Sequence, residues 1–368
     1  MATILETIQS QKAFDAFVNE NMKTSTYQVG WDKEMSVEYE ASKAYAAITA
    51  DYAAAMLGSV IDKGAARPKR NMPTVGDITG TLMRMGDEWQ IDNDRLERYM
   101  FMEARFRDKM KSFSNEMKAT QYASIVKYLF DPYEKAAIAP HRRILATYWE
   151  GLSNGQHTMT VTNNKGGVIW STALANGITK IKLAAGAVTW TTANLLTMDI
   201  LAGIQYLEDY CETQGRTPIK YRCSKATASL ITQSKQLKDL IGISLGKVRT
   251  LTTPGLSMEL VNEYLIGLGH APIEVINDKG VLQTGTATTM FTDGRLVAQC
   301  AEKVAVLKVS DPLETIDPVP NKVYTSYYDN LISQWRNDNG RYVAYEMYAF
   351  PVFTGMKDVY ILDVTATD

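Results

Sequence analysis

The sequence predicts an α+β protein, and three stretches carry that prediction. Between Asn93 and Gly155 apolar residues recur in steps of three and four. From residue 195 to 309 helical and strand patterns alternate. From Tyr327 to Ala349 two alternating runs flank an Asn337-Asp338-Asn339-Gly340 turn.

Composition sets outer limits. The 368 residues carry 39 Lys plus Arg against 41 Asp plus Glu, a net charge of -2. That excludes a domain gripping nucleic acid through bulk positive charge. With 45% hydrophobic and 22% charged residues the chain is not disordered by composition. Met1 to Glu6 lack a basic run followed by an apolar one, so no secretory signal is expected. No charge-free apolar stretch reaches the roughly 18 residues of a membrane span; Ala44 to Ile61 comes nearest and carries Asp51. Cys211, Cys223 and Cys300 have neither CxxC nor zinc spacing and read as free buried thiols.

In chain order, residues 1–33 read as an arm. Phe14 and Phe17 can share one short helical face, with too little apolar surface for a core of their own, so the arm is expected to be buried by neighbours. Ala-rich sequence from Glu34 to Leu57 predicts a helix that Gly58 helps to end. Residues 62–92 hold Gly64, Pro68, Pro73, Gly76, Gly80 and Gly86, which forbid a long helix, while Ile78 to Met83 alternates as a strand can. This predicts a projecting loop or β-hairpin. It is too long for an ordinary connection and is expected to pack on something else.

The stripe Leu96, Tyr99, Met102, Phe106, Met110, Phe113 and Met117 predicts an amphipathic helix. Its other face carries Arg95, Arg98, Arg105, Arg107, Lys109 and Lys111. Glu97, Glu103 and Asp108 interleave with them, so a solvated or intersubunit ion-paired face is expected rather than a nucleic-acid surface. Asp131-Pro132 and Ala139-Pro140 are expected to cut the following helical text into shorter helices, ending at Gly155.

Strands are expected at Thr158–Thr162, with a turn at 163–167, then at Val168–Trp170 and Ile178–Leu183. Thr197 can cap a helix to Gln214, with Gly215 as its stop. Ile219–Cys223 reads as a strand, Ser224 as a cap, Ser257 as the cap of a helix to Leu268, and Ile273–Ile276 as a strand turned by Asp278-Lys279-Gly280. Asp293-Gly294 reads as a hairpin turn. After the C-terminal hairpin, Pro351 is expected to break the strand, and a last strand spans Asp358–Val364.

Motifs for chemistry are sparse. His141, His157 and His270 sit in no metal or catalytic frame and read as turn or helix-end polar residues. Gly242-Ile243-Ser244-Leu245-Gly246-Lys247-Val248 is not a phosphate loop: three residues, not four, separate its glycines, and Val248 stands where a magnesium-binding hydroxyl belongs. Asp92-Asn93-Asp94 reads as a helix cap and Asn337–Gly340 as a β-turn, not as calcium loops. No catalytic, cofactor or metal residue is assigned. Twenty Tyr and 17 Met suit surfaces that become buried when partners arrive, as well as an ordinary core.

The order arm, long loop, long helix, α/β segment and β-rich return resembles the major capsid protein of tailed bacteriophages, with the Hong Kong 97-like fold. Leu57 to Gly64, Met72-Pro73-Thr74 and Arg84 to Glu97 resemble capsid proteins of phages of Bacteroides-type gut bacteria. Tyr342 to Glu346, Phe350-Pro351 and Val359 to Leu362 are similar in layout to the C-terminal strands of lambda-type capsid proteins, and Trp190 ahead of Leu195 fits the entry to their axial domain.

The resemblance implies an N-terminal arm and helix at 1–60, an extended loop at 61–92, a peripheral domain at 93–195 with a long spine helix and at 311–368, and an axial domain at 196–310. It implies a non-enzymatic shell subunit without cofactors, in a virion after assembly in the host bacterial cytoplasm. Its partners would be itself in hexamers and pentamers, a portal protein, scaffolding and cement or decoration proteins, and packaged double-stranded DNA bound without sequence preference, with no membrane. An encapsulin-like compartment shell and an α/β enzyme centred on 195–310 are the alternatives.

Overall fold

The computed structural model describes residues 8–23, 25, 28–50, 75–109, 115–160, 163–164, 170–173, 177–244, 256–281 and 286–368. The arm forms helix α1 (Gln11–Lys23), which buries Phe14, Val18 and Met22 at four-residue spacing. The helix expected from Glu34 to Leu57 does not form. Strands β1 (Met35–Tyr39) and β2 (Ala44–Ala50) stand there instead. Alanine's helix preference is worth under about 1 kcal/mol per residue, and tertiary pairing outweighs it. β1 runs parallel to residues 305–309. β2 pairs antiparallel with β3 (Val75–Thr81), Ala50 opposite Val75. A hairpin therefore rises from residue 44 to 81. Its tip, with the readings placed on Gly58, Leu57–Gly64 and Met72–Thr74, lies outside the described residues. Short strands β4 (Met83–Met85) and β5 (Glu88–Asp92) follow.

Asp92 Oδ1 accepts from the Arg95 amide at 2.8 Å and caps α2 (Asn93–Lys109), as expected. Within the stripe Leu96 and Tyr99 are buried, Met102 and Phe106 half-buried and Met117 exposed, while Met110 and Phe113 lie outside the described residues. On the basic face Arg107 pairs with Glu103 at 2.7 Å and Arg95 with Asp131 at 3.3 Å, both within the chain.

The prolines do not cut the next helix. α3 runs for 40 residues from Asn115 to Asn154 through both Pro132 and Pro140, about 60 Å at 1.5 Å per residue. Each proline leaves the carbonyl four residues earlier without its helical donor, and side chains from elsewhere replace both donors. Arg95 Nη2 donates to the Tyr128 carbonyl at 3.0 Å, and Asn330 Nδ2 to the Ala136 carbonyl at 2.9 Å. Gly155 ends the helix at φ +62°, a left-handed stop that glycine adopts at little cost.

Strands β6 (Gln156–Met159) and β7 (Trp170–Ala173) pair antiparallel, and β8 (Thr179–Leu183) follows. α4 (Ile200–Thr213) is capped by Asp199, not Thr197: Asp199 Oδ1 accepts from the Ala202 amide. Gly215 takes the expected stop position at φ +70°. β9 (Lys220–Ser224) leads to α5 (Lys225–Gln233), capped by Ser224, and then α6 (Lys235–Ser244). Ser257 caps α7 (Met258–Gly267). Then come β10 (Ile273–Ile276), β11 (Lys279–Val281), β12 (Ala287–Thr289), β13 (Arg295–Gln299), β14 (Ala305–Ser310) and the single turn α8 (Leu313–Ile316). Asp293-Gly294 makes no hairpin: β13 pairs with β9 and with the last strand. β15 (Val323–Tyr327), β16 (Asn330–Asn337), β17 (Gly340–Val352) and β18 (Val359–Thr367) close the chain. β17 continues through Pro351, opposite Leu307 of β14. β14 is its only strand neighbour there among the described residues, an edge-like setting where proline is tolerated.

β17 organises the larger sheet. Its first half lies between β16 and β5 and its second half between β14 and β4, with β1 and β15 outermost. The second sheet has the order β10-β9-β13-β18-β8. It serves the 196–310 segment, yet β8 and β18 come from outside those bounds. Alternation splits its faces. Tyr221, Cys223, Leu296, Ala298, Tyr360 and Leu362 face a core shared with α4–α7. Val297, Val359 and Ile361 join a separate core around α3, with Leu145, Tyr148 and Trp149. The spine helix thus packs against both sheets.

Replacing Asn330 by Leu, similar in volume but without the amide, leaves the Ala136 carbonyl orphaned in the core. The expected cost is about 1–3 kcal/mol, read as a lower urea midpoint at unchanged slope.

Candidate assembly surfaces

The N-terminal segment is fastened to its own chain by specific side chains. Phe14 lies edge-on to Tyr133 with centroids 5.7 Å apart, and Phe17 to Phe130 at 5.5 Å. The Gln11 amide accepts from the Tyr324 amide at 3.0 Å and donates to the Tyr324 carbonyl, so it occupies the edge of β15 as a neighbouring strand would. Asp15 accepts from Thr325 at 2.6 Å. The expectation that the arm must be buried by neighbours is therefore corrected for residues 8–23, whose apolar face completes the chain's own core.

Further along, Trp31 Nε1 donates to Nδ1 of His141 at 3.1 Å, and His141 Nε2 lies 3.3 Å from the Tyr327 carbonyl. This requires the neutral ring with its proton on Nε2. A second proton would face the indole N–H. Burial pushes the His141 pKa down to about 4. The other histidines are also tied to carboxylates: His157 Nδ1 lies 2.5 Å from Glu150, and His270 Nδ1 lies 2.6 Å from Glu208, which also accepts from Tyr221. His270 follows α7 and His157 starts β6, the turn and helix-end positions expected, whereas His141 is inside α3. Among the described residues no group of His, Cys, Asp and Glu is arranged to hold a metal ion. The three thiols are free, with Cys211 and Cys223 buried. Gly242 is buried in α6, and residues 245–248 lie outside the described residues.

One charged group sits where the two cores meet. Arg222, on the α3-facing side of β9, is 1% exposed. Its Nη2 donates to Glu34 at 2.7 Å, its Nε to Glu274 at 2.9 Å and its Nη1 to the Tyr148 hydroxyl at 3.2 Å, and the guanidinium lies 5.0 Å from the Trp149 ring. Burial works against its charge, but Tyr148 and the two carboxylates outweigh that and its pKa is raised. Sequence reasoning did not single out Arg222, Glu34, Gln11 or Asn330. For Arg222 the one available signal is a charge between Tyr221 and Cys223 in a strand.

Other features face outward. At the root of the β2–β3 hairpin Tyr45 is buried, stacked on Phe350 at 5.7 Å. Gly80 lies opposite it, where a Cβ would come within 2.6 Å of the Tyr45 hydroxyl. Between α2 and α3 an open groove of about 600 Å³ is lined by Glu97, Arg98, Phe101, Met102 and Tyr128. Phe101 is 69% exposed beside the half-exposed Met100. On α8, Leu313 and Ile316 are 68% and 77% exposed. The Tyr and Met surplus is divided: Tyr133, Tyr148 and Tyr221 are core, while Tyr39, Met100 and Tyr122 lie at the surface. Among the described residues no helix is long and apolar enough to cross a membrane.

Replacing Phe14 by Ala is expected to cost about 3–5 kcal/mol of arm docking. Amide exchange should accelerate across Gln11–Lys23 and stay unchanged in α4. His141 binds its proton less readily folded than unfolded, so its contribution to stability is complete above pH 6.5 and is lost as pH falls towards 4. The loss is on the order of 3 kcal/mol. Urea titrations should show the stability difference between wild type and His141→Gln shrinking across that window.

No family model matches the chain, and no curated protein matches it in sequence. Solved structures do. A protein assigned as a prophage capsid protein of E. coli CFT073 superposes with a TM-score of 0.53 at 12% identity, covering 96% of this chain and 98% of that one. A phage-related protein of Bordetella bronchiseptica RB50 gives 0.48 at 10% identity, covering 95% and 97%, and the capsid of Myoviridae phage XM1 gives 0.45 at 10%, covering 93% and 97%. Only the first is close enough to show the fold, and it shows it over almost the whole chain: the α+β architecture with a long spine helix is that of the E. coli prophage protein.

Proposed function

We propose that this chain is the major capsid subunit of a tailed phage, closing copies of itself into an icosahedral shell around double-stranded DNA. The observation that carries the reading is the near-complete superposition on the prophage capsid protein. The fold's own features support it. The hairpin from Ala44 to Thr81 leaves the body as a two-stranded sheet, and large apolar side chains such as Phe101, Leu313 and Ile316 stand on the surface. Surfaces of this kind gain area when copies meet, and obligate interfaces commonly bury about 2,000–5,000 Å² in total. Weak contacts repeated around a closed shell add through multivalency.

On this reading the work is binding, not chemistry. Of the 61–92 loop expected from the sequence, the part up to Thr81 would lie on a neighbouring subunit, since β4 and β5 are strands of the chain's own larger sheet; 93–195 and 311–368 would form the peripheral domain, and 196–310 the axial domain around the five- and six-fold axes, its sheet completed by β8 and β18. Hexamers and pentamers, a portal, scaffolding and cement proteins follow as partners, with assembly in the host cytoplasm. The near-neutral balance of -2 suits a wall that surrounds DNA without gripping it. The sequence blocks around Leu57–Gly64 and Arg84–Glu97 support a phage of Bacteroides-type gut bacteria. Neighbouring genes for a portal and terminase, rather than a cargo enzyme, would separate this from a compartment shell.

Expression of the full chain, with a scaffolding protein where one is encoded beside it, should give closed shells by sedimentation and electron microscopy. Phe101→Asp and Ile316→Asp, both at exposed sites, should reduce shell yield at least tenfold with the subunit's circular dichroism unchanged. A persistent monomer under every assembly condition would sink the reading.

A further inference from the structure

The spine helix meets the second sheet through Val297, Val359, Ile361 and Phe291, an apolar surface with no direction of its own. Apolar layers hold two bodies together but fix their mutual rotation only weakly. Directional bonds lie at its margin, Ser153 with Thr292 and Trp149 with Asp278, and one charged group lies within it. Arg222 leaves β9 towards α3 and reaches four elements: Tyr148 and Trp149 on α3, Glu34 just before β1, Glu274 on β10, and β9 itself through its backbone. Its donors lie in one plane, and each acceptor occupies its own direction in that plane. Rotating the second sheet about the spine helix would move β9 and β10 together while leaving Glu34 and Tyr148 behind. It would break the Glu34 and Tyr148 bonds and strand a cation that is 1% exposed.

We propose that Arg222 is an orientation pin. It selects one angle between the spine-helix body and the α4–α7 body from the range that the apolar layer and the marginal Ser153–Thr292 and Trp149–Asp278 bonds would allow. This rests on the shell reading only for its use there, since a subunit placed in both hexamers and pentamers needs a defined angle between its two bodies. The pin itself is a property of the single chain. It differs from a stabilising contact in one measurable way. A buried ion cluster replaced by an apolar side chain of similar volume is commonly neutral or stabilising, so removing the pin should loosen the angle without unfolding the bodies.

The test is a distance distribution in the full-length, unassembled subunit. Spin labels go at Glu259→Cys on α7 and Arg336→Cys on β16, both exposed, with Cys300→Ser to suppress background labelling. Wild type at position 222 should give one narrow peak. Arg222→Met combined with Glu34→Leu, which removes the buried pair as a whole, should at least double the width with circular dichroism unchanged and the thermal midpoint equal or higher. Glu34→Gln keeps an acceptor but removes the charge, and serves if the double variant fails to fold; it should broaden the peak by a smaller factor. Peaks as narrow as wild type in the folded variants would overturn the proposal. Broad peaks together with no shells from wild type would leave the pin standing and the shell reading refuted; narrow peaks with normal shells would do the reverse.

Discussion

A helix that runs through a proline must find another donor for the carbonyl the proline abandons. The spine helix runs through two, and the two replacements tie it to different parts of the fold. Arg95 reaches Tyr128 from α2, and Asn330 reaches Ala136 from β16. The first fixes α2 antiparallel to the spine, where Phe106 also meets Tyr122 at 6.0 Å. The second fixes the start of β16, hence the register of β16 on β17, hence the larger sheet that β17 organises. A long straight rod of this kind is a natural axis for everything else. The arm lies along it through Phe14, Phe17 and Trp31, and the second sheet covers its last turns through Tyr148 and Trp149.

Much of this frame was legible in the sequence wherever the cause was local. Asp92, Ser224 and Ser257 cap their helices because a short side-chain acceptor followed by helix-forming residues is a local arrangement. Gly155 and Gly215 mark stops for the same reason, and Asn337 to Gly340 turn the hairpin within two residues. What failed depended on distant partners. The run after Glu34 reads as helix by composition, but β14 and β3, far along the chain, offered it ladders. Pro132 and Pro140 read as breaks because nothing nearby reveals Arg95 or Asn330. Two errors are of a local kind: Asp293-Gly294 turns no hairpin, and in place of Thr197, Asp199 two residues later caps the helix and also accepts from Gln236.

The candidate surfaces divide in the same way. The hairpin is half legible: β3 falls within 62–92, whose glycines and prolines exclude a helix, while its partner β2 falls in the run that reads as one. Its root was not foreseen, because the stacking of Tyr45 on Phe350 joins positions remote in sequence and needs Gly80 to make room. The arm shows the opposite error. A short amphipathic helix without a core of its own was assigned to a neighbour's surface, yet its nearest unsatisfied edge is in its own chain, at β15. The Gln11 amide fits that edge with one donor and one acceptor, the pattern a strand would offer. An open edge strand invites pairing with another chain, so under the proposed reading as a shell subunit an intramolecular cover would also keep contacts to the intended surfaces.

That consideration bears on why polar groups persist where apolar ones would serve. His141, Arg222, Asn330 and Gln334 are all buried, and each costs desolvation that a Leu or Met would not. Each also joins elements that apolar contact alone would leave less firmly placed: the segment at Trp31 to the spine, the second sheet to the spine, the spine to β16, and the arm to β16 through the Ile8 carbonyl. A protein that worked alone could tolerate a few degrees of such sliding. In a closed shell the same angular error recurs in every copy and accumulates around the surface, so a subunit gains more from directional bonds between its parts than from the last increment of stability.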